Sequence, residues 1–409
     1  MFFPAQLNSM MKSRFKFLGI FIILGFGQAH ADCYSNNVPE IHEFLNKVLK
    51  IPITSEKYKK EKIVLEKEIE LIKAESDINQ TSLSLKYDVT EKSNALNLTS
   101  DLSFWKRKYQ QQIIDKKVAL KNIELQNLES SEYAGLALSI VSILSSESYL
   151  AIFQQRRLIF QELIDYYERR IQMGSGEFQQ KMETEQNLIE LSNKEMSAEI
   201  KKETQLLMNN LEMSNLSDFV FPLEMKNYSE NMSCKALPGA IRPLDLQIEL
   251  IKMKIEEEKL KFSPSLLGSV ASVWDETGEN ETTGSIVLNL SIYNGNKRKL
   301  QKSKIEDELN RLEIQRSILL IELERALEER SKIDKILVSS LNSLDDQLEN
   351  KIDTLNQFYL KQQLGGSAFE EKMQVMREIS VLKEARIGLL ADFYNAWFGF
   401  INARGDIKR

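Results

Sequence analysis

Part of this sequence occurs twice, with the two copies 191 positions apart. The tripeptide Lys-Arg-Lys at 106–108 recurs at 297–299, and residues 174–183 recur as 365–374 with the first glycine, the phenylalanine, the lysine and the methionine unchanged. Two landmarks that share one offset indicate an internal duplication. A repeat of this size has to be recognised before the fold can be assigned correctly. The sequence therefore predicts an internal two-fold repeat, with a first unit at 32–221, a linker at 222–242 and a second unit at 243–409.

The longest predicted elements are two helices. Each copy contains 68 residues between its landmarks without a proline. In the second copy apolar residues recur at steps of three and four, the spacing of an amphipathic helix, at Leu337, Leu341, Leu344, Leu348, Ile352 and Leu355. A helix of this length extends about 100 Å. Because the whole chain has only 16 glycines and 7 prolines in 409 residues, we predict a mainly α fold of long antiparallel coiled helices with a small β part.

A shorter helix is predicted on each side of each long helix. The four segments are Thr54–Asn79, Gly176–Met213, Leu244–Lys261 and Ser367–Ala403. The predicted apolar face of the returning helix comprises Phe178, Met182, Leu188 and Leu191 in the first copy, matched by Phe369, Met373, Ile379 and Leu382 in the second. The glycine at 174 or 365 would form the turn between the helices, where a residue without a Cβ fits best.

Before each Lys-Arg-Lys the helical spacing gives way to alternation of apolar and polar residues, which is typical of strands. The alternating residues are Leu83, Leu85, Tyr87, Val89, Leu96, Leu98, Leu102 and Phe104 in the first copy, and Leu266, Val270, Trp274, Ile286, Leu288, Leu290 and Ile292 in the second. Each copy is thus predicted to contain two strands, with the second turn at Asp275–Gly284. The pattern fits membrane strands and a soluble hairpin equally well.

Four strands are too few to close a barrel, and an open sheet edge in lipid leaves backbone groups without hydrogen-bond partners. Two chains would supply eight strands and a barrel filled by side chains, whereas three would supply twelve and leave room for a conduit. We expect the trimer, with four membrane strands per protomer in a 12-stranded β-barrel.

The N-terminus resembles a secretory signal. Lys12, Arg14 and Lys16 precede the apolar run Phe17–Phe26, and small residues suitable for cleavage follow at 29–31. The alternative is a retained anchor helix, for which ten apolar residues are short. Export to an oxidising compartment would allow a disulfide between Cys33 and Cys234, although they can also be two unrelated thiols.

The composition disfavours catalysis and nucleic-acid binding. Removal of residues 1–31 would leave His42 as the one histidine, which excludes a histidine-rich metal site. The segment 364–367 lacks the lysine and the strand of a phosphate-binding loop. The formal net charge of −6 does not suit a nucleic-acid-coating protein. We therefore expect that the protein has no enzymatic activity, binds no cofactor and has no nucleic-acid partner.

Four segments resemble successive landmarks of the outer-membrane efflux protein family, the TolC-like outer-membrane channels. They are Arg-Pro-Leu-Asp-Leu at 242–246, Phe-Ser-Pro-Ser-Leu at 262–266, Leu-Asn-Leu-Ser-Ile-Tyr-Asn-Gly-Asn-Lys-Arg at 288–298 and Leu-Gly-Gly-Ser-Ala-Phe at 364–369. The resemblance implies a homotrimer in the outer membrane of a Gram-negative bacterium, with a β-barrel in lipid and an α-barrel across the periplasm. It also implies a periplasmic adaptor (membrane fusion protein) and an inner-membrane pump or ABC exporter as partners, in tripartite efflux or type I secretion.

The same resemblance implies the site residues. Glu371 stands at the position of an aspartate in the family's periplasmic constriction, and Gln374 replaces a second one. The matching first-copy residues are Gln180 and Glu183. Glu183 and Glu371, with Glu370 as a weaker candidate, are thus expected to form a charged ring, although all can equally be solvated faces of a hairpin.

Adaptor contact is expected at the two turns, which contain Gly174, Ser175, Gly176, Gly365, Gly366 and Ser367. Gln362 and Ser367 replace the tyrosine and arginine of the family's closing contacts, so those contacts are not retained in the same form. The alternative function is a non-pore periplasmic coiled-coil adaptor or scaffold. Nothing in the sequence identifies the cargo.

Overall fold

A computed structural model describes most of the chain outside the N-terminus. The described backbone comprises residues 39–77, 81–88, 93–101, 104–174, 177–219, 238–260, 265–274, 280–289, 295–363 and 368–405. The predicted signal at 1–31 and the predicted pair Cys33 and Cys234 lie outside these residues. Most of the predicted linker does too.

Helices account for most of the described elements. They are α1 (Pro39–Val48), α2 (Glu56–Asp77), α3 (Phe104–Gln172), α4 (Phe178–Asn209), α5 (Arg242–Leu260), α6 (Gly295–Gln363) and α7 (Phe369–Arg404). Four strands complete the set: β1 (Thr81–Asp88), β2 (Ser93–Asp101), β3 (Ser265–Trp274) and β4 (Asn280–Asn289). Both α3 and α6 have 69 residues, so each is about 100 Å long. The prediction of a mainly helical chain with two very long helices is confirmed.

The strands form one antiparallel sheet in the order β1-β2-β3-β4. Thr81 is opposite Ser100, Asn94 is opposite Trp274, and Ser265 is opposite Asn289. The start of β1, the end of β2, the start of β3 and the end of β4 therefore lie at one end of the sheet. The helices that precede or follow the strands all join the sheet at this end.

Two strand predictions were wrong in detail. Phe104 was expected in a strand but is the first residue of α3. The expected turn at 275–284 is shorter, because β4 already begins at Asn280 and Gly284 is paired with Val270. The Ser272 and Thr282 hydroxyls are 3.3 Å apart across this pair of strands. Two adjacent threonines at 282–283 favour strand over turn, since β-branched side chains suit a pleated sheet.

The chain divides into two compact units. The first comprises residues 1–55, 130–238 and 324–409, and the second comprises 56–129 and 239–323. The first unit holds the largest core, in which Phe393, Tyr394, Trp397 and Phe398 are almost fully buried. Phe44 of α1 contacts Phe219, Tyr394 and Phe398, with ring centroids 5.1–5.3 Å apart.

Helix α3 supplies another side of this core. Among the described residues it is the one helix long and apolar enough to cross a membrane by composition, but 56% of its most apolar window is buried inside the protein. Tyr133, Ala137, Ile140 and Leu144 of this helix belong to the core of the first unit. Its apolar character is therefore explained by packing.

The second unit has a smaller core and carries the sheet. Ile248 and Ile251 of α5 pack against Leu312 of α6. Ion pairs and hydrogen bonds also join helices within this unit. The Arg316 guanidinium lies 2.5 Å from the Asp245 carboxylate, and the Tyr58 hydroxyl of α2 donates to the Glu129 carboxylate of α3 at 2.7 Å.

Candidate functional site at the helical hairpin ends

The first hairpin turns within a few residues. Helix α3 ends at Gln172, and Gly174 adopts a φ of +87°, a left-handed conformation that glycine adopts without a steric penalty. The Gly174 N–H donates to the Ile171 carbonyl at 2.9 Å. Arg170 then clamps the turn, since its guanidinium donates two hydrogen bonds to the Glu177 carboxylate, at 2.6 and 3.0 Å. Ser175 and Gly176 lie outside the described residues.

The two hairpins meet through aromatic side chains just behind their turns. The Tyr166 ring of α3 stacks on the Phe369 ring of α7, with centroids 4.7 Å apart. The Arg170 guanidinium lies 5.9 Å from the centre of the Tyr166 ring. Burial raises the pKa of the neighbouring Tyr167 phenol, and the nearby Glu370 carboxylate raises it further. The first turns of α7 are thereby fixed against the last turns of α3.

The second hairpin uses a cation over an aromatic ring. The Lys372 ammonium of α7 is 4.3 Å from the centre of the Tyr359 ring of α6, close enough for a cation–π interaction. The turn residues Gly365, Gly366 and Ser367 lie outside the described residues. The predicted adaptor contacts at these positions therefore stay predictions.

The five predicted constriction residues are all exposed: Gln180, Glu183, Glu370, Glu371 and Gln374. The Glu183 carboxylate accepts a hydrogen bond from Gln179 on its own helix at 3.2 Å. Glu183 and Glu371 lie on different hairpins, at the starts of α4 and α7. Exposure fits both the charged ring and the solvated hairpin face, so the ring stays a prediction.

Gln374 has a structural partner that the sequence did not indicate. Its side-chain amide donates to the Glu378 carboxylate at 2.9 Å, and the same carboxylate lies 2.6 Å from the Lys351 ammonium of α6. The hydrogen bond from Lys351, followed by that from Gln374, lowers the pKa of Glu378 below its ordinary value.

A second ion network joins three helices of the hairpins. The Arg156 guanidinium of α3 is buried, donates to the Ser380 hydroxyl of α7 at 2.8 Å, and lies 2.7 Å from the Glu384 carboxylate. The Lys194 ammonium of α4 lies 3.3 Å from the same carboxylate. Sequence inspection missed this network because its members are separated by up to 228 positions.

The predicted apolar face of α4 was half wrong. Leu191 is buried and Leu188 packs against the same cluster, but Phe178 and Met182 are 61% and 54% exposed. In α7 the matching residues Phe369, Met373, Ile379 and Leu382 do pack inward. Two different apolar stripes on α4 explain the discrepancy.

The second stripe on α4 faces outward. It consists of six apolar residues that are each more than half exposed: Phe178, Met182, Ile189, Met196, Ile200 and Leu207. At 100° per residue these six lie within an arc of about 40°. Helix α6 has a similar exposed stripe in the second unit, at Leu300, Ile314, Ile318 and Ile321. We define these two sets as the α4 stripe and the α6 stripe.

Solved structures of bacterial outer-membrane channels share this fold. The outer membrane protein VceC from Vibrio cholerae aligns with a TM-score of 0.66 and 11% identity over 90% of this chain and 96% of its own. The CmeC outer membrane channel of Campylobacter jejuni gives 0.65 and 11%, covering 90% and 85% of the two chains. The open state of the Neisseria gonorrhoeae MtrE outer membrane channel gives 0.65 and 11%, covering 90% and 89%.

The likeness is one of fold and not of sequence. No family model matches the chain, and no curated protein sequence matches it. Because the alignment spans nine-tenths of the chain and nearly all of VceC, the likeness extends over most of the fold of both chains.

Proposed function

We propose that this chain is the protomer of a trimeric outer-membrane channel of the TolC-like family, an exit duct that passes substrates across the periplasm and the outer membrane. The observation that carries the proposal is the protomer fold itself, which aligns over 90% of its length with outer-membrane channels. The internal repeat supports it as well: α3 and α6 have the same length and begin 191 positions apart.

The sheet supports an assembly in a membrane. Its strands have 8–10 residues, close to the length of about 9–11 residues that is usual for a tilted membrane-spanning strand. In the described protomer β1 and β4 are edge strands. In lipid such edges require partners, and neighbouring protomers would supply them. Three protomers would give the 12-stranded barrel with an aqueous lumen.

The helices support the same assembly. The α4 stripe and the α6 stripe each expose a row of large apolar side chains along one face of a helix, and a contiguous exposed apolar surface of this kind marks an interface. A second copy of the chain is the proposed occupant, because ring closure of the sheet would bring helices of neighbouring protomers side by side. The resulting α-barrel would project into the periplasm.

The partners are proposed from the fold and from the hairpin ends. The turns at 173–177 and 364–369 would contact a periplasmic adaptor, which connects the duct to an inner-membrane pump or ABC exporter. Efflux of small molecules and type I secretion of proteins are both compatible with such a duct. Cysteine crosslinking from Met173 should capture the adaptor, and crosslinking from exposed Ser197 should not.

Membrane fractionation and conductance test the channel. We expect the protein in outer-membrane vesicles, as a trimer that dissociates on heating in dodecyl sulfate, and we expect stepwise ion conductance after reconstitution into planar bilayers. A monomer recovered from the soluble periplasmic fraction, without conductance, would contradict the channel and favour the non-pore scaffold.

The proposed acidic ring predicts cation selectivity. Carboxylates at a constriction attract cations and oppose anions, so Glu183→Gln combined with Glu371→Gln should lower the cation-to-anion permeability ratio measured from reversal potentials in a salt gradient. Glu190→Gln with Glu199→Gln is the matched control, because both residues are exposed on α4 beyond the tip. An equal ratio for the wild type and the ring variant would favour the solvated hairpin face.

A further inference from the structure

The start of each long helix is strongly basic. Residues 295–305 of α6 contain Lys297, Arg298, Lys299, Lys302 and Lys304 and no acidic residue, and α3 begins with Lys-Arg-Lys at 106–108 before its first acidic residue. The first turn of neither helix contains an acidic residue. Positive charge at a helix N-terminus opposes the helix dipole, so this arrangement does not serve the stability of the isolated helices.

The sheet places these basic segments at one level. The end of β2 and the end of β4 lie at the same end of the sheet, and α3 and α6 begin three and six positions further on. Both basic segments thus lie beside the same end of the sheet. Lys299 is exposed there, as are Lys302 and Lys304.

The strand segments of the second copy are free of charge next to this level, whereas β2 of the first copy ends there at Asp101. No charged residue occurs in 262–274 or in 284–296. In the sequence, aromatic residues stand near the junctions between strands and helices: Phe104, Trp105, Tyr109, Phe262 and Tyr293. An uncharged strand zone bordered by aromatic residues is typical of the membrane–water boundary of a barrel, and the basic segments lie immediately outside it.

We propose that the Lys-Arg-Lys segments at 106–108 and 297–299 bind the phosphate groups of anionic phospholipids in the leaflet nearest the helices. This inference rests on the proposed function, because it places the sheet in a bilayer. Lysine and arginine near an anionic membrane surface each strengthen binding about fivefold. In a closed ring the segments would form a basic belt that fixes the depth of the barrel in the membrane.

A matched pair of variants tests the belt. Lys297→Gln/Arg298→Gln/Lys299→Gln removes three charges at the start of α6. Arg325→Gln/Lys332→Gln/Lys335→Gln removes three exposed charges from the same helix, about 50 Å further along it. Each protein is placed in nanodiscs of phosphatidylcholine alone or mixed with phosphatidylglycerol, and its thermal unfolding is followed by circular dichroism.

We expect phosphatidylglycerol to raise the unfolding temperature of the wild type and of the 325/332/335 control, and to raise that of the 297/298/299 variant much less. In detergent, the affinity of the 297/298/299 variant for short-chain phosphatidylglycerol should fall at least about tenfold. High salt should weaken the wild-type preference, since surface electrostatics are screened.

Three outcomes would overturn the inference. One is an equal response of both triple variants to the anionic lipid. Another is a loss of stability of the 297/298/299 variant that is equally large in neutral lipid, which would mean that these charges only pair with the acidic end of α5 at 256–258. The third is displacement of the lipid by millimolar inorganic phosphate, which would indicate a site for the free anion.

Conductance of the same samples separates this test from the test of the proposed function. A wild-type protein that never conducts ions refutes the channel, whatever its lipid preference.

Discussion

At the scale of single residues, the most exacting feature is a buried ion pair in the core of the first unit. Arg330 and Asp334 of α6 form a salt bridge with side chains 6% and 0% exposed. The Arg330 guanidinium lies 5.6 Å from the centre of the Phe393 ring and 5.4 Å from that of Trp397. Two rings and one carboxylate thus compensate a charge that is removed from water.

This pair predicts a large asymmetry between variants. Asp334→Ala leaves the Arg330 charge buried without its carboxylate, so it should cost about 3–5 kcal/mol of unfolding free energy. The double variant Arg330→Met/Asp334→Leu removes both charges and should cost far less. Asp245→Ala is the control, because it breaks a partly exposed pair with Arg316 and should cost about 1 kcal/mol or less. Urea unfolding followed by circular dichroism would measure all three, and equal losses for Asp334→Ala and Asp245→Ala would contradict the account.

Glu378 predicts a pH dependence. Its pKa is lowered in the folded protein, chiefly by the hydrogen bond from Lys351 and then by that from Gln374. The ionised carboxylate therefore stabilises the fold above the ordinary pKa of 4.5, and this contribution disappears as the pH falls through the lower pKa of the folded protein. Glu378→Gln should therefore lower stability at pH 7 by about 1 kcal/mol or less, since the pair is partly solvated. The gap to wild type should narrow as the pH falls below 4.5 and through the lowered pKa of the folded protein. Lys351→Gln should reproduce the loss at pH 7; a gap that is independent of pH would exclude this explanation.

At the scale of elements, glycine acts in opposite ways at two positions of the first hairpin. A Cβ added at Gly135 or at Gly174 would meet no atom within 4 Å, so packing does not distinguish them. Gly135 lies inside α3, where alanine is the better helix former by about 0.5–1 kcal/mol. Gly174 has a φ of +87°, where an L side chain costs about 1–2 kcal/mol.

Gly174→Ala should accordingly lower the thermal stability, and Gly135→Ala should raise it. Circular dichroism at the helical band measures both midpoints under one set of conditions. A stabilising effect of Gly174→Ala would show that the turn can leave its left-handed conformation at no cost, and the clamp between Arg170 and Glu177 would then be the main constraint on the turn.

The sequence predicted the positions of the helices better than it predicted which face of each helix is buried. The absence of proline and the repeated landmarks gave the long helices almost to the residue. The prediction failed at Phe178 and Met182, because α4 has one apolar stripe that packs inward and another that is exposed, and spacing alone does not say which of two stripes is covered. Likewise, the Arg156–Glu384 network depends on which helices become neighbours, and helical period contains no such information.

At the scale of the whole molecule, the exposed stripes and the open sheet are both surfaces that the proposed trimer would cover. The described sheet ends in two edge strands, and the α4 stripe exposes six large apolar side chains along about 44 Å of helix. Burying a side chain of this size contributes about 1.5–3 kcal/mol. A protomer that hides both features against copies of itself gains apolar burial and strand pairing in one step.

The α4 stripe yields the sharpest test of that assembly. Ile189→Glu with Met196→Glu adds two carboxylates at the centre of the stripe, where they would lose water on association, so the heat-modifiable trimer should be lost while the helical content of the protomer remains. Gln186→Glu with Ser197→Glu adds the same charge to exposed positions of α4 that lie about 80–100° around the helix from Met196, and this control should remain trimeric. Sedimentation in detergent distinguishes the two states. A stable trimer in the Ile189/Met196 variant would mean that the α4 stripe remains exposed to water in the assembly. The contacts between protomers would then have to come from the sheet and from α6 alone.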